Sequence, residues 1–267
     1  MAPKLRLPGR ARRNPEEVAI EPAYEDGHGA QMTILEHIEE LRSRLFKAAL
    51  GLVAGTAIAL FITAPVLQYL IQPNGGEPLR ILDPTGSVIA FFRVAIMIGA
   101  ILSIPITTYQ LLMFILPGLT RKEKRILMTA LPAITGLFLV GVAFAWFILV
   151  PPALTFLRGF QKDIFQPEWV ADQYLGFVTA LLFWMGVAFE TPLIFFVLAT
   201  MGIVSPQTLR NNWRVAVVGA AVAAAFITPT VDPVNMFLVM GPLLALYLLS
   251  ILLVVIGRRI SKVDTAS

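Results

Sequence analysis

The sequence predicts an all-α integral membrane protein with six kinked transmembrane helices and with both termini in the cytoplasm. Of its 267 residues, 57% are hydrophobic and only 14% are charged, whereas soluble domains carry about 25% charged residues. The apolar residues fall into six segments, as in a multi-spanning helical protein. Of the 21 lysines and arginines, 17 lie on one side of this topology, and the positive-inside rule assigns that side to the cytoplasm.

The six apolar segments set the domain organisation. Most reach the roughly 20 residues that a helix needs to cross the hydrocarbon core. The fifth is short, which predicts either a thinner bilayer or an early helix end beside a tilted sixth helix. We expect a disordered cytoplasmic tail at residues 1–31, a transmembrane domain at 32–257 and a cytoplasmic C-terminal tail at 258–267. The predicted spans lie at about 46–64, 91–116, 127–150, 174–200, 214–229 and 234–256.

Prolines inside the spans predict that the helices bend. A proline in a helix interior removes one backbone hydrogen bond, and its ring clashes with the preceding turn. Four such prolines are Pro105, Pro132, Pro192 and Pro242. We therefore expect a curved bundle with a concave face instead of a barrel of straight helices.

Composition argues against several classes of function. The chain has no cysteine, which excludes a thiolate nucleophile, a disulfide and a cysteine metal site. Its two histidines, His28 and His37, both precede the first span, so neither serves a buried Ser-His pair or a metal site in the membrane. The bases form short clusters between apolar segments, which is typical of a topology signal and not of a nucleic-acid patch. We expect no enzyme activity, cofactor, metal or nucleic-acid partner.

One acid, Glu190 in WMGVAFETPLIFF, lies deep inside a predicted span. An ionised carboxylate at that depth costs at least about 2.5 kcal/mol, so Glu190 is a candidate proton site, a polar contact for another membrane helix or a centre of local hydration. The alternative is a neutral carboxyl group bonded to a backbone carbonyl that Pro192 frees. An ion-coupled small-solute transporter would use Glu190 as its proton carrier. Such transporters usually pair intramembrane polar residues or break helices at one depth, and the sequence shows neither.

Further acids lie among bases on the predicted cytoplasmic side. In HIEELRSRL, Glu40 and Arg44 form an i,i+4 pair on a predicted helix. Glu36, the residue before this stretch, places a like charge one turn from Glu40. This segment is either a solvated amphipathic lead-in to the first span or a carboxylate site for an external cation. In GLTRKEKR, Glu123 either completes a capping box with Thr120 or presents an acid to a basic ligand.

Asp232 lies in ITPTVDP, the predicted external turn between the last two spans. Aspartate before Pro233 is typical of a helix N-cap with proline at the first helical position. The alternative is that Asp232 makes a polar contact with a partner protein.

Five motifs in order make the chain resemble the TatC family, the multi-spanning receptor subunit of the twin-arginine protein translocase. The resemblance runs from about residue 32 to 260 and rests on HIEELRSRL, SIPITTYQLLMFILPGLTRKEKR, FETP, MGIVSPQTLR and ITPTVDP. It implies a glove-shaped six-helix bundle in a bacterial or archaeal cytoplasmic membrane. It also implies that the chain is a receptor for signal peptides with consecutive arginines. In this role it would export folded proteins across the membrane, driven by the proton motive force.

The resemblance also assigns roles to residues. It implies that Glu40 and Glu123 bind the twin arginines, with Arg42 near the first acid, and that Glu190 contacts partners within the membrane. Asp232 and Asn235 fall on the turn where partners dock. The implied partners are single-span Tat subunits of the TatA and TatB types, signal peptides of folded cargo, the lipid bilayer and further copies of the chain.

Two positions depart from the family pattern. Many relatives carry glutamine where this chain has Asn235, and a glutamate often follows the tyrosine of the sixth span, where Leu248 follows Tyr247 here. We therefore expect the partner contacts of the sixth span to differ from those of such relatives.

Overall fold

The structure is a computed structural model that describes residues 34–115, 121–164, 168–228, 230 and 232–264. In these ranges the chain is helical apart from turns and one isolated β-bridge between Arg80 and Val170. The tail predicted at residues 1–31 lies outside the described residues. The helices are α1 (Ile34–Ala59), α2 (Thr63–Leu70), α3 (Gly86–Ile115), α4 (Arg121–Phe144), α5 (Val150–Gly159), α6 (Ala171–Thr200), α7 (Pro206–Asn211), α8 (Trp213–Ile227) and α9 (Pro233–Asp264).

The described helices confirm the all-α membrane fold. Four of them are long and apolar enough to cross a membrane, and α1 with α2 supplies a fifth span if this bent pair counts as one. Helix α8, with 15 residues, is a shorter apolar helix. The four long spans are Gly86–Phe114, Leu127–Gly159, Ala171–Thr200 and Pro233–Arg258. The count of six spans and the orientation of the termini stay predictions.

Helix α1 joins HIEELRSRL and the first apolar segment in one rod that begins at Ile34. It ends at Ala59, and α2 leaves at an angle of 78°. The ring of Pro65 explains the break, because it lacks an N–H and would clash with the carbonyl of Phe61 in a continuous helix. The hydroxyl of Thr63 donates a hydrogen bond of 2.7 Å to the Ala59 carbonyl. This backbone carbonyl at the end of α1 therefore has a hydrogen-bond donor inside the protein.

Interior prolines do not end the other helices. Helices α3, α4, α6 and α9 continue through Pro105, Pro132, Pro192 and Pro242, respectively. Before the consecutive prolines Pro151 and Pro152, the backbone forms a π-helical turn at Ala145–Leu149. This wider turn shifts the hydrogen-bond pattern by one residue. The helix therefore runs on without a break into α5.

The seam between α1 and α3 is close-packed through glycines. A Cβ atom on Gly55 would lie 2.6 Å from the carbonyl oxygen of Gly99, and one on Gly51 would lie 2.9 Å from Cγ2 of Ile106. Small residues let helix backbones approach in membranes. This approach fixes the register in which the polar end of α1 meets the last turns of α3.

At the other end of the bundle, away from the start of α1, polar contacts join the α2–α3 loop to the start of α6. Arg80 donates its backbone N–H to the Trp169 carbonyl at 2.9 Å and pairs with Glu168 at 2.6 Å. Arg93 pairs with Asp172 at 2.8 Å. These contacts hold the central helix α6 in place beside α3.

Candidate functional site

Glu40 lies in the seam between α1 and α3, near the start of α1. One turn earlier, the ring of His37 stacks on Phe114 of α3 with a centroid distance of 4.4 Å. The side chain of Glu40 is only 15% exposed. The carboxylate therefore faces α3 and is not part of a fully solvated lead-in helix.

The two oxygens of Glu40 differ in their partners. Arg44 donates from Nη2 at 3.1 Å and from Nε at 3.4 Å, and both bonds go to Oε1. Nη1 of Arg44 reaches Oε1 of Gln110 on α3 at 3.5 Å. Oε2 of Glu40 is buried and has no hydrogen-bond partner among the described residues. A buried acceptor without a donor costs about 1–3 kcal/mol, and more when the group is charged.

Arg42 and Glu39 lie on another face of α1. Residues two apart on an α-helix point about 200° from each other, so Arg42 projects away from the Glu40 carboxylate. This face borders an open groove of about 710 Å³, which is lined by Glu39, Arg42, Ser43, Leu45, Phe46 and Ala49. The structure thus does not bring the side chain of Arg42 into contact with the carboxylate of Glu40.

Glu123 lies in the first turn of α4, which begins at Arg121. Its side chain and Thr120 lie outside the described residues, so the capping box between them stays a prediction. Helix α4 starts six residues after α3 ends at Ile115, and His37 contacts that same end of α3 through Phe114. The first turn of α4 therefore lies at the same end of the bundle as Glu40.

Glu190 lies on a different helix, in the C-terminal half of α6. Its side chain is partly exposed, and the described residues offer it no ion-pair partner. The adjacent Phe189 packs on Phe144 with a centroid distance of 5.2 Å. Glu190 therefore borders the packed face between α6 and α4 while remaining partly accessible from outside the bundle.

Asp232 caps α9, as the N-cap interpretation predicts. Its Oδ1 accepts the backbone N–H of Asn235 at 2.7 Å, and its Oδ2 accepts Nδ2 of Asn235 at 2.9 Å. Burial raises the pKa of Asp232, but hydrogen bonds, the backbone N–H of Asn235 first among them, together outweigh burial, and the pKa lies below the usual aspartate value. Asn235 itself is 1% exposed, and its Oδ1 lacks a partner among the described residues.

Gln110 is the main site residue that the sequence reasoning missed. It is the one amide side chain in the apolar segment 91–116, and a lone amide inside a span is a signal that could have singled it out. A second missed contact links α9 to α7, where the Tyr247 hydroxyl donates to the Leu209 carbonyl. Next to it, Leu248 lines a groove of about 600 Å³ together with Arg210 and Leu252.

Known proteins are similar to this chain in sequence and in fold. A family profile described as "Sec-independent protein translocase protein (TatC)" matches residues 36–242. The chain is 35% identical over 217 residues to the translocase protein TatC of Synechocystis sp., covering 81% of this chain and 85% of that protein. It is 36% identical to the chloroplastic TATC of Arabidopsis thaliana, covering 82% and 65%, respectively. A crystal structure of the twin-arginine translocase receptor TatC matches with a TM-score of 0.74 at 33% identity, covering 83% of this chain and 99% of that one.

These matches extend over most of the transmembrane part and agree in sequence and in fold. They describe a component of a protein translocase and not an enzyme, and they give no support to a small-solute transporter. This chain therefore belongs to the TatC family, the multi-spanning membrane subunit of the Sec-independent, twin-arginine protein translocase.

Proposed function

We propose that the chain binds the paired arginines of twin-arginine signal peptides at the end of the bundle where α1 meets α3. In this role it acts as the receptor subunit that exports folded proteins with the proton motive force. Glu40 and Glu123 accept the two guanidinium groups. The observation that carries the proposal is the buried Oε2 of Glu40, which has no donor among the described residues.

The chemistry of the ligand fits two separate acids. A guanidinium presents parallel N–H donors that match both oxygens of one carboxylate. Two adjacent arginines therefore need two carboxylates, and α1 and α4 each bring one to the same end of the bundle. Lysine presents a point charge without this fork, so replacing either ligand arginine by lysine is not a conservative change.

Arg42 contributes to the electrostatics of this end. It is exposed on α1, and Lys124 and Arg125 are exposed on α4. Such bases attract the anionic lipids of the cytoplasmic leaflet. Arg42 therefore supports the site by holding this end of α1 at the membrane surface.

The proposed partner contacts lie on α6, α8 and the turn before α9. Helix α8 exposes an apolar stripe at a spacing of about one turn, with Val215 69%, Val218 63% and Val222 65% exposed. We assign this stripe, Glu190 and the Asp232–Asn235 turn to single-span Tat subunits of the TatA and TatB types and to further copies of the chain. A partner helix in the membrane would bring a donor to Glu190.

The distribution of bases supports a cytoplasmic location of both termini, with 17 of 21 on that side. We assign the chain to the cytoplasmic membrane of a bacterium or archaeon. The alternative is a location in the chloroplast, as the name of the chloroplastic relative states for that protein, and fractionation of the source cells distinguishes the two.

Peptide binding tests the site. A fluorescent peptide with two consecutive arginines is titrated against the purified chain in detergent and against its Glu40→Gln and Glu123→Gln variants. Each variant should bind about ten- to a hundredfold more weakly, because hydrogen bonds to charged groups contribute about 1.5–3 kcal/mol. Glu39→Gln removes the same charge from an exposed neighbour and should bind like the wild type. Wild-type affinity in both Glu40→Gln and Glu123→Gln would refute the proposal.

A further inference from the structure

We propose that Arg44 is an internal substitute for the ligand arginine, occupying Glu40 in the free receptor and moving to Gln110 when a signal arginine binds. This inference rests on the proposed function, because it assigns a regulator to the same carboxylate. It makes Arg44 a residue that sets the affinity of the site without contacting the bound ligand's carboxylate partner.

The first support is the geometry of the pair. Arg44 directs both Nε and Nη2 to the same oxygen, Oε1, at 3.4 and 3.1 Å. A fork-to-fork pair would use both oxygens and is the stronger arrangement. In this arrangement Arg44 bonds only Oε1, so Arg44 holds Glu40 incompletely.

The second support is the state of Oε2. It is buried and lacks a donor among the described residues, so the free receptor carries an unsatisfied charged acceptor. A ligand guanidinium is not tied to α1, so it aligns with both oxygens once Arg44 leaves and the Glu40 side chain rotates to bring Oε2 out of the seam. Exchange of Arg44 for a ligand arginine therefore gains a hydrogen bond that the free receptor does not have.

The third support is the second acceptor within reach of Arg44. Nη1 already lies 3.5 Å from Oε1 of Gln110, which belongs to α3 and not to α1. The side chains of Arg44 and Glu40 are 21% and 15% exposed, so a displaced guanidinium needs a nearby polar partner to remain satisfied. The Gln110 carbonyl provides that partner with a small rotation of the side chain.

This exchange has a consequence for affinity. Any ligand must compete with an arginine that is already attached to the receptor, so the apparent affinity of every ligand falls by the same factor, the fraction of receptors in which Glu40 is free. A ligand lysine offers no fork and does not satisfy both oxygens, so its affinity is low even before this competition. The internal arginine therefore raises the affinity that a ligand needs, and paired lysines fall below that level before paired arginines do.

The test measures binding of the twin-arginine peptide and its di-lysine counterpart to Arg44→Gln. Without the internal competitor, we expect roughly two- to tenfold tighter binding of the twin-arginine peptide, and a gain of about the same factor for the di-lysine peptide. Lys47→Gln is the matched control, because it removes one positive charge from an exposed position on the same helix. It should leave both affinities within about twofold of the wild type. Gln110→Ala should weaken binding, because the displaced Arg44 loses its second acceptor.

A double variant separates this inference from the proposed function. In a Glu40→Gln background, Arg44→Gln should no longer improve binding, since the two residues act through one contact. Unchanged or weaker binding by Arg44→Gln overturns the inference, as does a gain that persists without Glu40. Failure of Glu40→Gln alone to weaken binding overturns the proposed function instead. If Arg44→Gln does not purify as a folded protein, Arg44→Lys serves, and it must bind the twin-arginine peptide more tightly than the wild type.

Discussion

Asp232 and Glu40 are two carboxylates that differ in how their oxygens are satisfied. Both oxygens of Asp232 accept hydrogen bonds from Asn235, whereas only Oε1 of Glu40 has a donor among the described residues. A satisfied carboxylate at a helix start stabilises the fold. A half-satisfied carboxylate in a helix seam retains affinity for a further donor.

At the residue scale, Asp232→Ala should destabilise the folded protein by about 1 kcal/mol at neutral pH, the typical cost of losing an N-cap. The pKa of Asp232 is lower in the folded chain than its ordinary value of 3.8. The stabilisation is therefore present above that ordinary value and is lost as the pH falls through the lower folded pKa. Thermal unfolding in detergent from neutral to acidic pH should show the difference from the wild type shrinking on acidification. A difference that stays constant would mean that the charge of Asp232 has no part in the cap.

At the residue scale, the sequence predicted contacts between residues that are close in the chain, but not contacts between helices. The Glu40–Arg44 pair follows from the i,i+4 rule, and the structure contains it at 3.1 Å. Its burial does not follow from that rule, because it depends on the register of α1 against α3. For the same reason the sequence did not single out Gln110, which lies 66 residues from Arg44 in the chain.

At the element scale, the glycines of α1 and α3 set that register. Gly55→Ala places a methyl group 2.6 Å from the backbone oxygen of Gly99, which relaxes only if the helices separate. We expect a loss of about 1–3 kcal/mol in stability, as for other overpacked contacts. We also expect weaker peptide binding, because Gln110 moves relative to Glu40. Thermal unfolding and peptide titration measure the two effects.

Gly136→Ala is the control for this prediction, because a Cβ there meets nothing within 4 Å. Alanine in an open helix position should be neutral or stabilising by up to about 1 kcal/mol. Equal effects of the two substitutions would show that close approach at Gly55 is not what positions the seam.

Helix breaks were harder to predict than helices. The interior prolines predicted where hydrogen bonds would be lost, yet α3, α4, α6 and α9 continue past them. Neighbouring helices and side chains can satisfy freed carbonyls in a membrane protein. The bend of 78° between α1 and α2 instead precedes Pro65, where the protein turns from a long helix to a short one. Whether a proline ends a helix thus depends on packing, which local sequence does not contain.

At the scale of the whole molecule, the short fifth apolar segment has a structural explanation. Helix α7 reaches Tyr247 of α9 through the Leu209 carbonyl, while Arg258, eleven residues farther along α9, donates to the Val204 carbonyl. At about 1.5 Å per residue these contacts differ in depth by roughly 16 Å. Between α6 and α8 the chain therefore runs from the level of Arg258 to the level of Tyr247. As a result, α8 begins deeper in the bundle than the C-terminal end of α9. Its 15 residues cover about 22 Å, less than the roughly 30 Å of hydrocarbon.

The orientation of the whole molecule follows from charge and is tested by labelling. Because the chain has no cysteine, single cysteines can be introduced without background. Leu82 in the α2–α3 loop is 73% exposed, and Leu35 at the start of α1 is 75% exposed. With 17 of 21 bases on the side of Leu35, we expect a membrane-impermeant maleimide to label Leu82→Cys in intact cells. Leu35→Cys should react only after the membrane is permeabilised. The reverse pattern would invert the topology and move the proposed peptide site to the side of the membrane where unexported cargo is absent.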